Sequence, residues 1–278
     1  MTSSTNGNES HADSVIAARS LALSRRGSVV VEVDDLDIRF GVTSLVGPNG
    51  SGKSTLLHAV AGLLAPTTGS LRVFGADPRT VRRRVAYVLQ AQHAPPHLPV
   101  TVRELVALGR AAQRGPFGRL DTTDRALVRD AIERVELGPL ANRHLADLSG
   151  GQRQRAFVAQ GLAQSADLLL LDEPAAGLDL TSSEQIRRLL VEEHAAGRTV
   201  VVATHDLADA ALSDQVILLA GRVVAAGPPA AVLVREHLAA AYGGRLLDLG
   251  GALMLVDDDD HHHDVNVAPD APDEPALR

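Results

Sequence analysis

Two sequence motifs suited to phosphate chemistry occur in this chain. The first is the glycine-rich stretch "GPNGSGKST". A glycine, four residues, a second glycine, a lysine and a serine form the pattern of a phosphate-binding loop. Glycines let backbone N–H groups converge on phosphate oxygens at a helix N-terminus, where the helix dipole favours negative charge. We expect Lys53 to reach the β- and γ-phosphates of a nucleotide and the Ser54 hydroxyl to ligate Mg²⁺. The predicted nucleotide-binding residues of this loop are Gly47, Pro48, Asn49, Gly50, Ser51, Gly52, Lys53, Ser54 and Thr55.

The second is a pair of carboxylates at the end of "ADLLLLDEP", residues 166–174. Such an unbroken apolar run is typical of a central parallel strand that is buried on both faces. Asp172 and Glu173 would then emerge at the carboxyl edge of the sheet, where open α/β sheets bind their ligands. Phosphoryl transfer needs one carboxylate to hold Mg²⁺, which we assign to Asp172, and a group that activates the attacking water, which we assign to Glu173.

A further anion-binding feature is predicted in "LSGGQRQRAFVAQGLAQ", residues 148–164, where a serine and two glycines precede a helical pattern. The N-terminus of this helix would present exposed N–H groups to an anion. One nucleotide does not need two such features from one chain. Two chains arranged head to tail would explain both, because each could lend this loop to the γ-phosphate held by the other. The residues predicted to do so are Ser149, Gly150, Gly151 and Gln152.

Each motif alone also has a purely structural explanation. A glycine-rich turn can occur without a ligand, and an acidic pair can cap a strand as solvated charges. The presence of the acidic pair behind a phosphate loop favours nucleotide chemistry.

The elements that must position these residues can be predicted from the apolar spacing. "TSLVGPNGSGKSTLLHAVAGLL", residues 43–64, is typical of a strand, a loop and a helix. Between the glutamine at position 90 and the serine at 149, a proline-rich start precedes apolar positions at helical spacing, with breaks at 115–118 and 138–139. This pattern predicts a small helical subdomain inserted into a nucleotide-binding core.

The last quarter of the chain predicts simpler elements. "PAAVLVREHLAAAYGG" is typical of a terminal helix, and "RLLDLGGALMLV" of a hairpin that turns around Gly250 and Gly251. Residues 1 to about 18 and the stretch from 257 onward have the polar or charged composition of disordered segments.

Composition limits the classes of function. The chain has 278 residues, is 45% apolar and contains no cysteine, which excludes disulfides and thiolate metal sites. Its first residues lack the charged-then-apolar order of a signal peptide, and no apolar run approaches the roughly 20 residues that span a bilayer. We therefore expect a cytoplasmic protein whose membrane role, if it has one, comes through a partner.

An acidic tail carries the whole net charge. Residues 257–278 hold eight acidic residues and one arginine, a net charge of −7 that equals that of the chain. The remaining residues are balanced and show no basic footprint, so we do not expect nucleic acid as a partner. The tail contains "VDDDDHHHDV". Its histidines and carboxylates could bind Zn²⁺ weakly, or the tail could serve only as a soluble acidic segment.

"GPNGSGKST", "LSGGQRQR", "LLLLDEP", "AGLD" and "TH" occur in the order and spacing of an ATP-binding cassette (ABC) transporter ATPase, which this chain resembles over residues 20–230. The resemblance implies an α/β fold, a P-loop NTPase (RecA-like) core with an inserted helical subdomain. It implies ATP and Mg²⁺ as ligands and hydrolysis of ATP to ADP and phosphate. The domains expected are a disordered tail at 1–18, an ABC ATPase domain at 19–230 with its helical subdomain at about 91–150, a C-terminal helix and hairpin at 231–256, and a disordered acidic tail at 257–278.

The resemblance also implies roles for single residues. Gln90 in "VAYVLQ" matches the glutamine that senses the γ-phosphate and Mg²⁺ beside the transmembrane partner. His205 matches the histidine that contacts the γ-phosphate and steadies Glu173, and Asp179 matches the aspartate that links the two sites of a dimer. The family usually stacks an aromatic residue on adenine, but the matching stretch here offers Arg25 and Arg26, whose guanidinium groups could stack instead.

A further resemblance, to particular branches of the importer ATPases, implies the transported cargo. "TVRELVALGR" and the loop after it are similar to the zinc and manganese importer ATPases, closest to the Azt-type zinc branch, although iron-siderophore importers share "TVRELVALGR". This implies a homodimer at the cytoplasmic face of the membrane, an integral-membrane permease that contacts residues 90–110, and an extracytoplasmic metal-binding protein. The alternatives are an iron-siderophore or manganese importer, a permease-free soluble ABC ATPase, and a catalytically silent regulatory subunit, against which Glu173 and His205 argue.

Overall fold

The computed structural model describes residues 14–90, 99–115, 118–243, 246–248 and 253–255. Within these ranges the chain forms two main sheets, a short hairpin and eight α-helices. The strands are β1 (Ser14–Arg25), β2 (Ser28–Arg39), β3 (Val42–Val46), β4 (Thr68–Val73), β5 (Val85–Val88), β6 (Leu168–Asp172), β7 (Thr199–Thr204), β8 (Gln215–Leu219), β9 (Val223–Gly227), β10 (Leu246–Asp248) and β11 (Leu253–Leu255). The helices are α1 (Lys53–Val60), α2 (Val102–Arg114), α3 (Thr122–Arg134), α4 (Gly150–Gln164), α5 (Leu180–Ala195), α6 (Leu207–Ala210), α7 (Pro229–Val232) and α8 (Arg235–Tyr242).

The larger sheet has six strands in the order β5-β6-β7-β3-β8-β9. The first five run parallel, and β9 pairs antiparallel with β8 at the edge. Its strand β6 lies between β5 and β7, and residues 168–171 are buried. Other elements of the fold pack on both faces of a parallel strand in such a sheet. The residues of β6 can therefore be apolar throughout instead of alternating with polar residues. The predicted α/β class and the central position of "LLLLD" are confirmed.

The smaller sheet is antiparallel, with the strand order β2-β1-β4. Burial alternates along β1 because only one of its faces packs against the core, where Ile16, Ala18, Leu21 and Leu23 lie. The strand begins at Ser14, and Ile16 pairs with Ile38 and with Val73. The prediction of a disordered tail through residue 18 is therefore wrong for 14–18, which form the start of an alternating strand directly after a polar stretch. Residues 1–13 lie outside the described ranges.

A group of helices packs on one face of the six-stranded sheet. Both α2 and α3 begin with a capping box, Thr101 with Glu104 and Asp121 with Asp124, in which side chain and backbone satisfy each other's hydrogen bonds. Apolar residues at helical spacing on α2, α3 and α4 form one core with the sheet. Of these helices, α2 and α3 lie in the stretch that was predicted to be a helical subdomain, whereas α4 begins at Gly150, where that stretch ends. The start of that stretch, residues 91–98, lies outside the described ranges.

The C-terminal helices belong to the same body as the sheet. Val232 of α7 and Leu238 and Tyr242 of α8 pack with Val46 and Val216 of the parallel strands. The helices after Pro228 therefore share a core with the sheet, and the single predicted helix is two short ones. The predicted hairpin is confirmed, since β10 pairs with β11 from Leu246–Leu255 to Asp248–Leu253. The acidic tail lies outside the described ranges, and within them no helix has the length and apolar character to cross a membrane.

Candidate functional site

The first part of the site is the loop between β3 and α1. Gly50 and Gly52 have φ angles of 79° and 101°, a left-handed conformation that glycine adopts without steric cost. Gly52 is the N-cap of α1, and no side chain of the described residues caps this helix. Its first N–H groups therefore remain available, which is the arrangement that binds phosphate at a helix N-terminus.

Close packing also explains why positions 47 and 52 of this loop are glycines. A Cβ atom on Gly47 would lie 2.0 Å from the carbonyl oxygen of Leu219, and one on Gly52 would lie 2.1 Å from Val31 Cγ2. The Ser51 hydroxyl is buried and has no hydrogen-bond partner among the described residues. A buried unpartnered donor and a row of N–H groups fit an anionic phosphate chain such as that of ATP.

Lys53 is held tightly in this loop. Its ammonium group donates to the carbonyl oxygens of Gly47 at 2.6 Å and Pro48 at 3.3 Å, and it lies 3.9 Å from Glu173 Oε1. The side chain is only 5% exposed. Lys53 is also the only lysine in the chain, in which arginine supplies every other basic side chain apart from histidine. Its ammonium group and the glutamate carboxylate thus share one site.

The carboxylate pair lies on the neighbouring part of the sheet. Asp172 ends β6 opposite Ala203 of β7, and the Glu173 N–H donates to the Ala203 carbonyl at 3.0 Å. Glu173 has a φ angle of 47°, which is uncommon for a residue other than glycine and costs of order 1–3 kcal/mol. Such strain occurs at functional sites, where surrounding structure holds a side chain in a required direction.

These parts meet in a cleft of about 360 Å³. Gln90, two residues past the end of β5, lines this cleft and also a small cavity beside the start of α4. Hydroxyl, amide and carboxylate oxygens are donors that Mg²⁺ accepts, and the cleft offers them beside the lysine. The residues that line it are Val30, Asn49, Gly50, Ser51, Gly52, Lys53, Ser54, Thr55, Gln90, Asp172 and Glu173.

Sequence reasoning missed a row of hydrogen bonds that leads away from Asp172. Tyr87 on β5 donates its hydroxyl to Asp172 Oδ2 at 3.0 Å, and His58 Nε2 lies 3.1 Å from the same hydroxyl. His58 Nδ1 contacts the guanidinium group of Arg25. The one sequence feature that could have suggested this row is the alternation of β5, which puts position 87 on the face that α1 covers. Arg25 and Arg26 do not line the cleft, so their stacking on adenine stays a prediction.

The predicted second anion-binding feature is separate from this cleft. Ser149 caps α4, since its hydroxyl accepts from the Gln152 N–H at 3.3 Å while Gln152 Oε1 accepts from the Ser149 N–H at 3.1 Å. Both interactions lie at the surface. Gly150 and Gly151 follow in the first turn, and none of these four residues lines the phosphate-loop cleft. Within one chain the structure therefore does not bring the two predicted phosphate-binding features together.

The remaining predicted residues lie on the other side of Glu173. Asp179 caps α5, where the N–H and hydroxyl of Ser182 donate to its carboxylate and lower its pKa. A Cβ atom on Gly151 would lie 3.8 Å from Asp179 Oδ2, so the start of α4 sits against this cap. His205 follows β7 and lines a cavity of about 460 Å³ together with Glu173. His205 and Asp179 are both exposed at the surface.

A phosphate loop that opens a helix, followed by an acidic pair at the end of a central parallel strand, defines a P-loop NTPase. A sequence profile described as ABC transporter matches residues 35–176. The zinc transport system ATP-binding protein of Treponema pallidum is 42% identical over 193 residues, which cover 68% of this chain and 73% of that protein. A manganese transport system ATP-binding protein of Listeria monocytogenes is 39% identical over 201 residues, covering 72% and 84%.

Solved structures give the same result. A metal-chelate type ABC transporter in an inward-facing conformation superposes with a TM-score of 0.72 at 26% identity, covering 83% of this chain and 89% of that one. A dimeric ATP-binding cassette in a post-hydrolysis state, bound to ADP and phosphate, superposes with a TM-score of 0.69 at 28% identity, covering 77% and 98%. This chain belongs to the ABC transporter family, and it is an ATPase of that family.

Proposed function

We propose that this chain is the ATPase subunit of an importer for a divalent metal cation, with zinc as the cargo. It acts at the cytoplasmic face of the membrane, as a homodimer bound to a separate integral-membrane permease, and an extracytoplasmic metal-binding protein delivers the cation. Support for metal transport comes from the relatives named for zinc and manganese systems, which match about two thirds or more of the chain. The single observation that supports hydrolysis most strongly is the cleft in which Lys53, Ser54, Asp172 and Glu173 converge.

We assign binding of the triphosphate to the loop and the start of α1. The N-terminus of α1, which no described side chain caps, and the buried ammonium group of Lys53 supply positive potential where the β- and γ-phosphates would lie. Ser54, Asp172 and Gln90 provide the oxygen ligands for Mg²⁺, directly or through water. Mg²⁺ in such a site neutralises charge that develops on the phosphate oxygens.

We assign the activation of water to Glu173. Its side chain lines the cleft together with Asp172, and the carboxylate lies close enough to Lys53 for a long ion pair. His205 lines the same cavity as Glu173, which supports a role in orienting the glutamate and the γ-phosphate. Gln90 lines both the cleft and the cavity beside α4, so it could report the state of the nucleotide to the helical region.

A homodimer explains the separation of the two predicted phosphate-binding features. The start of α4 is exposed and lies outside the phosphate-loop cleft of its own chain, so a second chain arranged head to tail would complete each site. Ser149, Gly150, Gly151 and Gln152 would then face the γ-phosphate of the partner. Asp179, beside Gly151 and next to the cavity of Glu173, would connect the two sites.

The permease contact is assigned to residues 90–110. Two large apolar side chains in or beside this stretch, Leu89 and Leu108, are 42% and 50% exposed. Leu108 lies on α2, whose buried face is formed by Val102, Leu105 and Val106, so it points away from the core. Exposed leucines of this kind are expected where another protein binds. Residues 91–98 of the same stretch lie outside the described ranges.

The test is the metal content of metal-starved cells that carry either the wild-type chain or Glu173→Gln, measured by elemental mass spectrometry. We expect a selective fall in zinc in the variant. A matched control is Glu236→Gln, which makes the same chemical change at an exposed position on α8 and should leave metal content unchanged. Equal zinc in all three strains would contradict the proposed cargo.

Manganese is the second candidate, because relatives named for manganese transport match this chain at nearly the same identity as the zinc relative. The same measurement separates the two, since a fall in manganese with constant zinc would keep the transport motor and replace the cargo. A fall in iron would indicate an iron-chelate importer. No change in any metal would favour an ABC ATPase without a permease.

A further inference from the structure

Three side chains that do not line the phosphate-loop cleft form a continuous row of hydrogen bonds that ends on Asp172. The Tyr87 hydroxyl lies 3.0 Å from Asp172 Oδ2 and 3.1 Å from His58 Nε2, and the opposite ring nitrogen of His58 contacts the guanidinium group of Arg25. The rings of Tyr87 and His58 also meet edge to face, with centroids 5.2 Å apart. Tyr87 and His58 are both partly buried, whereas Arg25 is at the surface.

The chemistry of the two ends fixes the direction of every proton in the row. A guanidinium group can only donate, so His58 Nδ1 must be the acceptor. An ionised carboxylate can only accept, so the Tyr87 hydroxyl must donate to Asp172. The hydroxyl oxygen then accepts from His58 Nε2, which must carry the hydrogen. His58 is therefore neutral and in the Nε2–H tautomer, because any other state would place two donors or two acceptors against each other.

The electrostatic surroundings agree with this assignment. Burial, followed by the charge of Arg25, lowers the pKa of His58, which favours the neutral ring. Burial and the neighbouring Asp172 raise the pKa of Tyr87 far above its usual value, so the hydroxyl keeps its proton. Both directions favour the same arrangement of donors that the hydrogen-bond partners require.

The topology explains why these residues meet. Tyr87 pairs with Leu170 in the neighbouring strand, and Asp172 is two residues further along β6 on the same face. Helix α1 packs on this face, and its residue His58 follows Lys53 by five positions on one rigid element. The phosphate-binding end of α1 and the carboxylate of β6 are thus fixed to each other through Tyr87 and His58.

We propose that Tyr87 and His58 are positioning residues that hold the Asp172 carboxylate in the orientation required to bind Mg²⁺. The hydrogen bond from Tyr87 to Oδ2 fixes the plane of the carboxylate, whose remaining lone pairs would be available to the ion or to a water molecule bound to it. The proposal rests on the role of Asp172 as a metal ligand that is proposed above. Partners that orient metal ligands in this way typically change metal affinity by about 10–100-fold when they are removed.

The hydrogen-bond row is tested first, without nucleotide or metal. In the full-length protein labelled with ¹⁵N-histidine, the spectrum of His58→Gln identifies the His58 signals by their loss. We expect wild-type His58 to show the neutral Nε2–H form and Tyr87→Phe to change both of its nitrogen signals. A charged ring or an Nδ1–H form, or signals that do not respond to Tyr87→Phe, would overturn the assignment.

The effect on the metal is measured by electron paramagnetic resonance, with Mn²⁺ as the probe and a non-hydrolysable ATP analogue bound. We expect Tyr87→Phe to raise the Mn²⁺ concentration at half-saturation by about tenfold or more while binding of the metal-free analogue is unchanged. The matched control is Tyr242→Phe, which removes the same group from the other tyrosine of the chain, on α8 and outside the cleft. His58→Gln, which keeps an N–H donor, should retain more affinity than His58→Ala.

Asp172→Asn separates the two hypotheses. If Asp172→Asn weakens Mn²⁺ binding and Tyr87→Phe matches the wild type, the positioning role is overturned and the metal-ligand role stands. If Asp172→Asn leaves Mn²⁺ binding unchanged, the metal-ligand role fails and the positioning proposal fails with it, even where the ¹⁵N spectra show the row to exist.

Discussion

The N-termini of α1 and α4 look alike in the sequence, since each lies in a stretch that contains glycines and a serine. They differ in the structure. At α1 the N-cap is Gly52, and among the described residues no side chain satisfies the first N–H groups. At α4 the N-cap is Ser149, which exchanges hydrogen bonds with Gln152. One N-terminus is buried beside Lys53 and the carboxylates, and the other is capped and exposed.

This difference shows how a helix N-terminus can be prepared for an anion in two ways. At α1 no side chain of the described residues occupies the capping position, so a phosphate can bind there without displacing one. At α4 the serine hydroxyl accepts from the backbone but still has its own hydrogen to donate. We therefore expect α1 to bind the phosphate chain by itself and α4 to contribute only when another surface brings a phosphate to it.

The largest effect is expected from Lys53→Ala, which removes the buried ammonium group at α1. Loss of one such charge-stabilising donor commonly lowers the catalytic rate by about 10²–10³-fold, and we expect at least that loss in ATP hydrolysis, with weaker nucleotide binding. Steady-state ATPase assays and fluorescent nucleotide titration measure both.

Because Lys53 is the only lysine, ATP should also protect the wild-type chain from lysine methylation, read by peptide mass spectrometry. Hydrolysis at the wild-type rate would refute the assignment of the cleft.

A second comparison substitutes one glycine at each N-terminus. Gly52→Ala places a methyl group 2.1 Å from Val31 Cγ2 at a φ of 101°, and we expect a loss of about 2–3 kcal/mol in the free energy of unfolding. Gly150→Ala meets nothing within 4 Å, so its stability should match the wild type within about 0.5 kcal/mol. Urea unfolding measures both. Equal stabilities would show that the loop at α1 is not held as tightly as its contacts indicate.

A smaller loss of stability than that of Gly52→Ala is expected from Ser149→Ala, which removes the cap of α4. Its matched control is Thr101→Ala, which removes the equivalent cap of α2, in a capping box of the same kind. Each should lower the free energy of unfolding by about 1 kcal/mol. Only Ser149→Ala should also reduce ATP hydrolysis, while nucleotide binding to the single chain is retained. Equal ATPase rates in the two variants would contradict a direct role for the start of α4.

The parts of the site that could be predicted are those formed by residues close together in the sequence. Parts that depend on contacts between distant residues could not be predicted. The loop from Gly47 to Thr55 and the pair Asp172–Glu173 are contiguous patterns, so strand, loop and helix followed from local spacing. The start of β1 at Ser14 was missed because it directly follows a polar stretch, and its pairing with β2 and β4 is not visible in any local pattern. The shared core of the C-terminal helices and the sheet could not be predicted, because the burial of Val232 and Leu238 depends on strands far away in sequence.

The sequence by itself determined the phosphate loop, the acidic pair and the glycine-rich start of α4, because each depends on neighbouring residues and on helix and strand periodicity. Tertiary structure alone decided which of these parts share a cleft. Parallel pairing brings β5, β6 and β7 together from positions far apart in the chain, and α1 packs across them. Residues 25, 58, 87 and 172 meet for this reason, since sheet order and side-chain direction, and no local pattern, set the distances between them.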